Sequence, residues 1–191
     1  MISVRENTFE TNSSSTHSLT LASGKEYEAW EKGESLFGYS SEQFYNKENL
    51  YETCVDALKA DFDYRKKSYE EKEEKEEKID SWATKHYKVD EYALNHLPTK
   101  EEFNDFIKEL QEENSGNIHT SDLENYSWDN ILEHPEKITA KDIFAEMLNA
   151  VEDCALLTED GYYNYGDYET FQEEREIDGV KVVAFGYYGY N

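Results

Sequence analysis

Two stretches of the chain, one near each end, have the apolar runs and turn residues of β-strands. Leu19 to Ala22 form a short run near the N-terminus that is typical of a strand. Towards the C-terminus, Arg175 to Ile177 and Val180 to Tyr188 flank the dipeptide Asp178-Gly179, and Asp-Gly between β-rich flanks is a strong hairpin signal. We expect the N-terminal strand and the C-terminal hairpin to share one small antiparallel sheet.

Three other segments repeat apolar residues every three or four positions, as one face of an α-helix requires. The first follows Ser40 to Gln43, which match a capping box, and its apolar positions are Leu50, Cys54, Leu58 and Phe62. The second begins after Thr99, with Glu102 as its capping partner, and the third begins after Thr139. The predicted fold class is therefore α+β, a small antiparallel sheet packed with three or more helices.

The first of these helices runs into a strongly charged stretch. From Arg65 to Lys78 the chain reads RKKSYEEKEEKEEK, and apolar residues almost disappear. Glu71 precedes Lys75 by four positions, which is the order that stabilises an exposed helix. We expect a solvated helical extension over residues 65–80 that protrudes from a single α+β domain of residues 1–191.

The charge balance limits the class of partner. Nineteen Lys and Arg residues stand against 44 Asp and Glu residues, which gives a formal net charge of −25. A surface this acidic repels the phosphates of DNA and RNA, so we do not expect the chain to bind nucleic acid by itself. The same charge attracts a basic surface, and we expect a basic protein partner. Aromatic residues make up 15% of the chain, which supplies enough large side chains for a packed core.

Targeting and cysteine patterns predict a cytoplasmic location. No run approaches the roughly 20 apolar residues of a membrane-spanning helix, and the polar N-terminus lacks the basic and apolar regions of a signal peptide. Cys54 and Cys154 both fall in apolar helical patterns, and we expect buried thiols rather than a disulfide. The histidines fall in separate segments without the close spacing of a zinc motif, so we expect neither a metal nor a cofactor.

The most unusual segment is FETNSSSTHS, residues 9–18, in which six hydroxyl side chains surround an asparagine and a histidine. Interpreted as an active site, it has His17 as general acid or base and a serine, Ser14 or Ser15, as nucleophile or substrate contact. Glu10 would orient the histidine, and Arg5 would hold an anionic group. The remaining polar side chains would bind that group: Asn12, Ser13 and Thr16. The alternative is structural, because Ser, Thr and Asn also form turns through bonds to their own backbone.

Carboxylates placed where phosphates normally lie are a second candidate site. The charged helix offers four of them in one stretch: Glu73, Glu74, Glu76 and Glu77. Lysines interrupt that row, and such charge runs are also the ordinary solvated face of a helix, so both interpretations are open. The dispersed acids of residues 109–129 and 169–178 are a further candidate, because aromatic residues lie among them and aromatic side chains anchor protein interfaces.

The string VRENTFETNSSSTHSLTL, residues 4–21, resembles the N-terminal signature of small proteins from phages and mobile elements of Gram-positive bacteria. In that setting the size and acidity are similar to those of type II-A anti-CRISPR proteins. The resemblance implies a partner in the bacterial host cell, a type II CRISPR effector nuclease or its guide RNA complex, whose guide or target handling is blocked. Two alternatives are open. One is a small enzyme that uses residues 10–18 on a nucleotide or RNA phosphate, as in guide RNA truncation, and the other is an accessory phage protein.

Overall fold

A computed structural model describes residues 15–74, 81–119, 137–151, 155–164 and 169–190. These residues have an α+β architecture, which confirms the predicted fold class. They divide into two compact units, one within residues 1–47 and 157–191 and the other within residues 48–156. The predicted single domain concerns the arrangement of both units together, and it stays a prediction. None of the helices in the described ranges combines the length and the apolar character that crossing a bilayer requires.

Short strands and longer helices alternate along the chain. The first unit contains β1 (Ser15–Ser23), α1 (Gly24–Glu31), β2 (Ser35–Gly38), β3 (Gln43–Asn46), α6 (Glu159–Tyr163), β6 (Glu169–Ile177) and β7 (Val180–Tyr190). The second unit contains α2 (Leu50–Glu74), α3 (Ser81–Asn95), α4 (Lys100–Glu113), β4 (Ile118–His119) and α5 (Ala140–Asn149). A 3-10 turn (Lys47–Asn49) and β5 (Ala155–Leu157) lie where the chain passes from one unit to the other.

A three-stranded antiparallel sheet organises the first unit. β7 lies in its centre, with β1 on one side and β6 on the other. The predicted pairing of the N-terminal strand with the C-terminal hairpin is therefore confirmed. Asp178 and Gly179 form the hairpin turn with φ angles of 51° and 78°. A two-residue turn of this kind needs positive φ at both positions, which explains the Asp-Gly pair.

An aromatic core packs against the inner face of this sheet. Trp30 on α1 is only 1% exposed. Five rings have centroids 5.2–5.6 Å from the Trp30 ring: Tyr27, Phe37, Phe44, Tyr162 and Phe185. The indole Nε1 of Trp30 donates to the carbonyl oxygen of Leu157 at 2.9 Å, so the polar atom of this buried ring has its partner. Much of the high aromatic content of the sequence is used in this core.

β2 and β3 form an antiparallel hairpin over residues 35–46. The predicted helix start at residues 40–43 is wrong, because these residues form the hairpin turn and the start of β3. Tertiary packing explains the difference. Phe37 and Phe44 lie 5.1 Å apart and both contact the core tryptophan, and the packing of these two aromatic rings outweighs a local capping preference. The helix predicted there begins at Leu50 instead.

The second unit is a cluster of helices in which α2 contacts α3, α4 and α5. The predicted apolar face of α2 is buried at Leu50, Cys54 and Leu58. Burial raises the pKa of the Cys54 thiol to about 12, so this thiol is neutral and unreactive at physiological pH. Cys154 lies outside the described residues. The predicted capping box of α4 is confirmed, with Thr99 and Glu102 each accepting from the other's backbone N–H.

The predicted extension of α2 is confirmed as a helix as far as Glu74. α3 runs beside it, and the ring of Tyr87 stacks on Phe62 and Tyr69 with centroids 5.5 and 5.6 Å apart. One side of α2 is therefore covered by α3 as far as Tyr69. Residues 75–80, the last part of the predicted extension, lie outside the described residues.

Candidate functional site

The structure describes part of the predicted active-site segment. Ser15, Thr16 and His17 are the first residues of β1, and His17 stands opposite Tyr188 of β7. The description of these three residues covers the backbone alone. The other predicted residues of this segment lie outside the described ranges: Arg5, Glu10, Asn12, Ser13 and Ser14. The structure thus places three of the predicted active-site residues on one strand. Their catalytic role stays a prediction.

The predicted phosphate-mimicking helix is also described in part. Glu73 is exposed near the end of α2, and Glu74 is the last residue of that helix. Glu76 and Glu77 lie outside the described residues. The exposed position of Glu73 fits both a docking site and an ordinary solvated helix face.

Alternate side chains of the three-stranded sheet point away from the aromatic core. Leu19 and Leu21 on β1 are 45% and 37% exposed, whereas Thr20 between them is buried. In the sheet register, Leu19 lies opposite Gly186 of β7, which in turn lies opposite Phe171 of β6. We define the outer sheet face as the apolar residues on this side: Leu19, Leu21, Phe171, Ile177, Val180, Val182, Ala184 and Tyr188.

The outer sheet face is continuous across all three strands. A Cβ at Gly186 would come within 3.0 Å of the Phe171 ring, so this ring lies closely against the central strand. Ile177 and Val180 face each other at the hairpin end and are both more than half exposed, at 55% and 56%. Single exposed apolar residues are normal on a monomer, but a contiguous apolar patch marks a site of interaction.

β6 borders the outer sheet face with carboxylates. Five acidic side chains on β6 and its turn stand against a single arginine: Glu169, Glu173, Glu174, Glu176 and Asp178. Glu173 pairs with Arg175 at 3.0 Å, and Glu174 pairs with Lys181 at 3.0 Å. The strand is exposed along nearly its whole length. It is one of the two dispersed acidic segments that the sequence nominates, and the other, residues 109–129, is described only as far as His119.

The helical unit contains a buried carboxyl cluster that the sequence analysis missed. Arg65 of α2 lies 2.8 Å from both carboxylate oxygens of Asp90 on α3, and its other terminal nitrogen lies 3.1 Å from Asp61. Asp90 is fully buried, and Glu146 of α5, which interacts with it, is 6% exposed. We define the carboxyl cluster as Asp61, Arg65, Asp90 and Glu146. These four residues come from three helices, α2, α3 and α5.

The protonation of the carboxyl cluster follows from its burial. Burial, and then the negative charge of Asp90, raise the pKa of Glu146 to about 8. Burial also raises the pKa of Asp90, while the guanidinium of Arg65 opposes that rise. No N–H or O–H group of the described residues donates to Oε2 of Glu146. An ionised Glu146 would bury a negative charge that lacks a donor. A neutral Glu146 carries no such charge, and its own O–H can donate to the Asp90 carboxylate.

The surroundings of the carboxyl cluster favour a structural role. Glu146 borders a small pocket whose walls are largely apolar, with Val89, Ala93 and Ile143 among them. Within the described part of the chain, no group of three or more His, Cys, Asp and Glu side chains is arranged to hold a metal ion. The Arg65 guanidinium links α2 to α3, and the proton that a neutral Glu146 shares with Asp90 links α3 to α5. A sequence signal existed, because Glu146 interrupts the apolar run from Ile143 to Leu148.

Comparison of the whole chain with family models, with curated proteins and with solved structures found no match. The functional argument therefore rests on the residues of this chain. Among the described surfaces, the outer sheet face with its acidic border is the strongest candidate for a functional site, because it combines exposed apolar area with charge that is mostly negative.

Proposed function

We propose that the protein is an acidic inhibitor that binds the basic surface of a host nucleic-acid enzyme through the outer sheet face. The observation that carries the proposal is the exposed apolar patch around Leu19, Leu21 and Tyr188, bordered by the glutamates of β6. Apolar side chains at the centre of an interface supply most of the buried area, and charges at its rim set the choice of partner. The chemistry of this surface selects a partner that is basic and partly apolar.

The net charge of −25 supports the same class of partner. An enzyme that holds DNA or RNA has a positively charged channel, and an acidic protein is drawn to it at a rate that falls as salt is added. The RNA-guided effector nucleases of type II CRISPR systems have a channel of this kind for guide and target. The N-terminal resemblance to phage and mobile-element proteins makes such a nuclease the specific partner that we propose.

A cleavage assay with a purified type II effector nuclease tests the proposal. We expect the protein to inhibit cleavage at low salt, to lose potency as salt rises, and to leave the guide RNA intact on a denaturing gel. No inhibition and no binding at low salt would exclude the proposed partner. Inhibition with a shortened guide would instead favour the enzyme hypothesis for residues 10–18, which stays a prediction, as does the accessory-protein hypothesis.

Substitutions on the outer sheet face locate the contact. Leu19→Ser combined with Leu21→Ser should weaken binding to the nuclease about tenfold or more, since each tenfold corresponds to about 1.4 kcal/mol. Both side chains are exposed, so we expect the fold to be retained. Tyr64→Ser is the matched control. Tyr64 is a 76% exposed aromatic residue of α2, and it is not part of the three-stranded sheet. Equal affinities for the double variant and the control, measured by titration, would show that the outer sheet face is not the contact.

A further inference from the structure

β6 is an edge strand in the described sheet. Its nine residues pair with β7 on one side, and no described strand pairs with the other side. The strand contains neither proline nor glycine. An edge strand of this length leaves a row of backbone N–H and C=O groups available to pair with another chain. Proteins usually block such edges with charges, prolines or bulges.

The charges on β6 are almost all of one sign. Glu169 and Glu173 lie on the outer side of the strand, and Glu174 and Glu176 lie on the side that carries Lys181. Glu174 and Glu176 are two positions apart on the same side of the strand, and the pair between Glu174 and Lys181 offsets only part of the repulsion between their charges. An edge strand that is blocked by charges of both signs would not have this repulsion. Cationic side chains on an added strand would relieve the remaining repulsion between Glu174 and Glu176.

We propose that β6 accepts an extended basic segment of a protein partner as an additional strand of the sheet. Lysine or arginine side chains of that segment would stand opposite Glu174 and Glu176, at the spacing of about 5 Å that neighbouring strands impose. An apolar side chain of the segment would lie beside Phe171 and extend the outer sheet face. The basic character of the partner rests on the proposed function, and the strand-addition geometry rests on β6 itself.

Two other occupants fit this edge less well. Nucleic acid would place phosphates against the glutamates of β6, and like charges repel. A second copy that paired through its own β6 would bring glutamates opposite glutamates, which destabilises a strand pair. A basic segment in the extended conformation satisfies both the backbone groups and the side chains, as strand addition does in known peptide-binding domains.

Titration with a labelled ten-residue peptide of alternating lysine and valine tests the proposal on the intact protein. We expect binding at low salt, together with slower hydrogen exchange of the amides of β6. A peptide of the same sequence with every backbone nitrogen methylated keeps the charge but has no N–H to donate to an edge strand, and its binding should be weaker by about tenfold or more. Equal binding of the two peptides would overturn the proposal, because charge alone would then explain it.

A four-residue variant locates the peptide. The variant Glu169→Gln, Glu173→Gln, Glu174→Gln and Glu176→Gln should lower the affinity for the lysine–valine peptide at least tenfold. The control makes the same change of charge at exposed glutamates of α4: Glu101→Gln, Glu109→Gln, Glu112→Gln and Glu113→Gln. We expect the control to lose less than threefold. Equal losses in the two variants would overturn the proposal, and so would a concentration-dependent dimer that the peptide does not displace.

The effector assay separates this inference from the proposed function. Peptide binding at β6 without inhibition of the nuclease would remove the proposed function and leave strand addition standing. Inhibition of the nuclease that is equally strong in the four-residue β6 variant and its α4 control would remove strand addition and leave the proposed function standing.

Discussion

Replacement of Arg65 by methionine should lower the free energy of unfolding of the helical unit by about 3 kcal/mol at pH 7, the lower end of the range for breaking a buried ion pair. The Arg65 guanidinium lies 2.8 Å from both oxygens of Asp90, which is fully buried. Methionine keeps much of the packing of the arginine stem but leaves Asp90 without its cation. The Arg65 side chain is itself 25% exposed, and solvent screening places the loss at the lower end.

Urea denaturation followed by circular dichroism at the helix band measures this loss. Lys59→Met is the matched control on the same helix, since Lys59 is exposed and its nitrogen lies 3.6 Å from Asp56. We expect the control to change stability by less than about 1 kcal/mol, as is typical of exposed ion pairs. A similar small change in both variants would mean that Arg65 does not compensate the charge of Asp90.

The elements that sequence reasoning predicted well have strong local signals. The Asp178-Gly179 turn needs positive φ at two adjacent positions, and few dipeptides other than Asp-Gly and Asn-Gly suit it, so the hairpin can be predicted from two letters. The capping box at Thr99 and Glu102 is equally local, because the two side chains satisfy backbone groups of the same helix turn. In both places, local preference and tertiary structure agree.

The elements that sequence reasoning missed depend on contacts distant in sequence. The hairpin over residues 35–46 forms because Phe37 and Phe44 pack on Trp30, and no window of a few residues contains that information. Asp90 and Glu146 are 56 residues apart in the chain, so nothing local indicates that they share a buried site. A buried carboxyl in an apolar helix pattern is a signal that a partner exists, but it does not identify the partner.

The candidate site was predicted in part. The acids of residues 169–178 were nominated as dispersed charge with aromatic neighbours, and they form an exposed edge strand. The outer sheet face was not predicted, because Leu19 and Leu21 look in the sequence like ordinary residues of a buried strand. Their exposure follows from the sheet register, which puts the aromatic core on the opposite side.

The stability of the helical unit should fall as pH rises from about 4.5 to about 8, because of Glu146. Its pKa is raised from 4.5 to about 8 by burial and then by the charge of Asp90, so over this interval the folded state keeps a proton that the unfolded chain has released. The folded state therefore binds more protons, and stability decreases with increasing pH. Each pKa unit corresponds to 1.36 kcal/mol, so the loss amounts to at most about 5 kcal/mol.

The charged groups that act on Glu146 are Asp61 and Arg65 on α2 and Asp90 on α3, and Asp142 of α5 lines the same pocket. His86 of α3 interacts with Arg65 and has its own pH dependence. Burial, and then the charge of Arg65, lower the pKa of His86. That shift alone would make stability rise with pH below about 6.5, opposite in sign to the effect of Glu146. The contribution of Glu146 is therefore measured by comparing the wild type with a variant at Glu146, because His86 contributes equally to the stability of both proteins.

The variant Glu146→Gln separates the contribution of Glu146 from the rest. Its amide can donate to Asp90 at every pH, so we expect the variant to be more stable than the wild type at pH 8.5 and no more stable at pH 5. Glu112→Gln, at an exposed position of α4, should follow the wild-type curve at both pH values. Two parallel stability curves for wild type and Glu146→Gln would contradict the shared proton. Curves that cross would mean that the proton on Glu146 stabilises the packing of the three helices. That stabilisation is then lost when Glu146 ionises beside the charged Asp90.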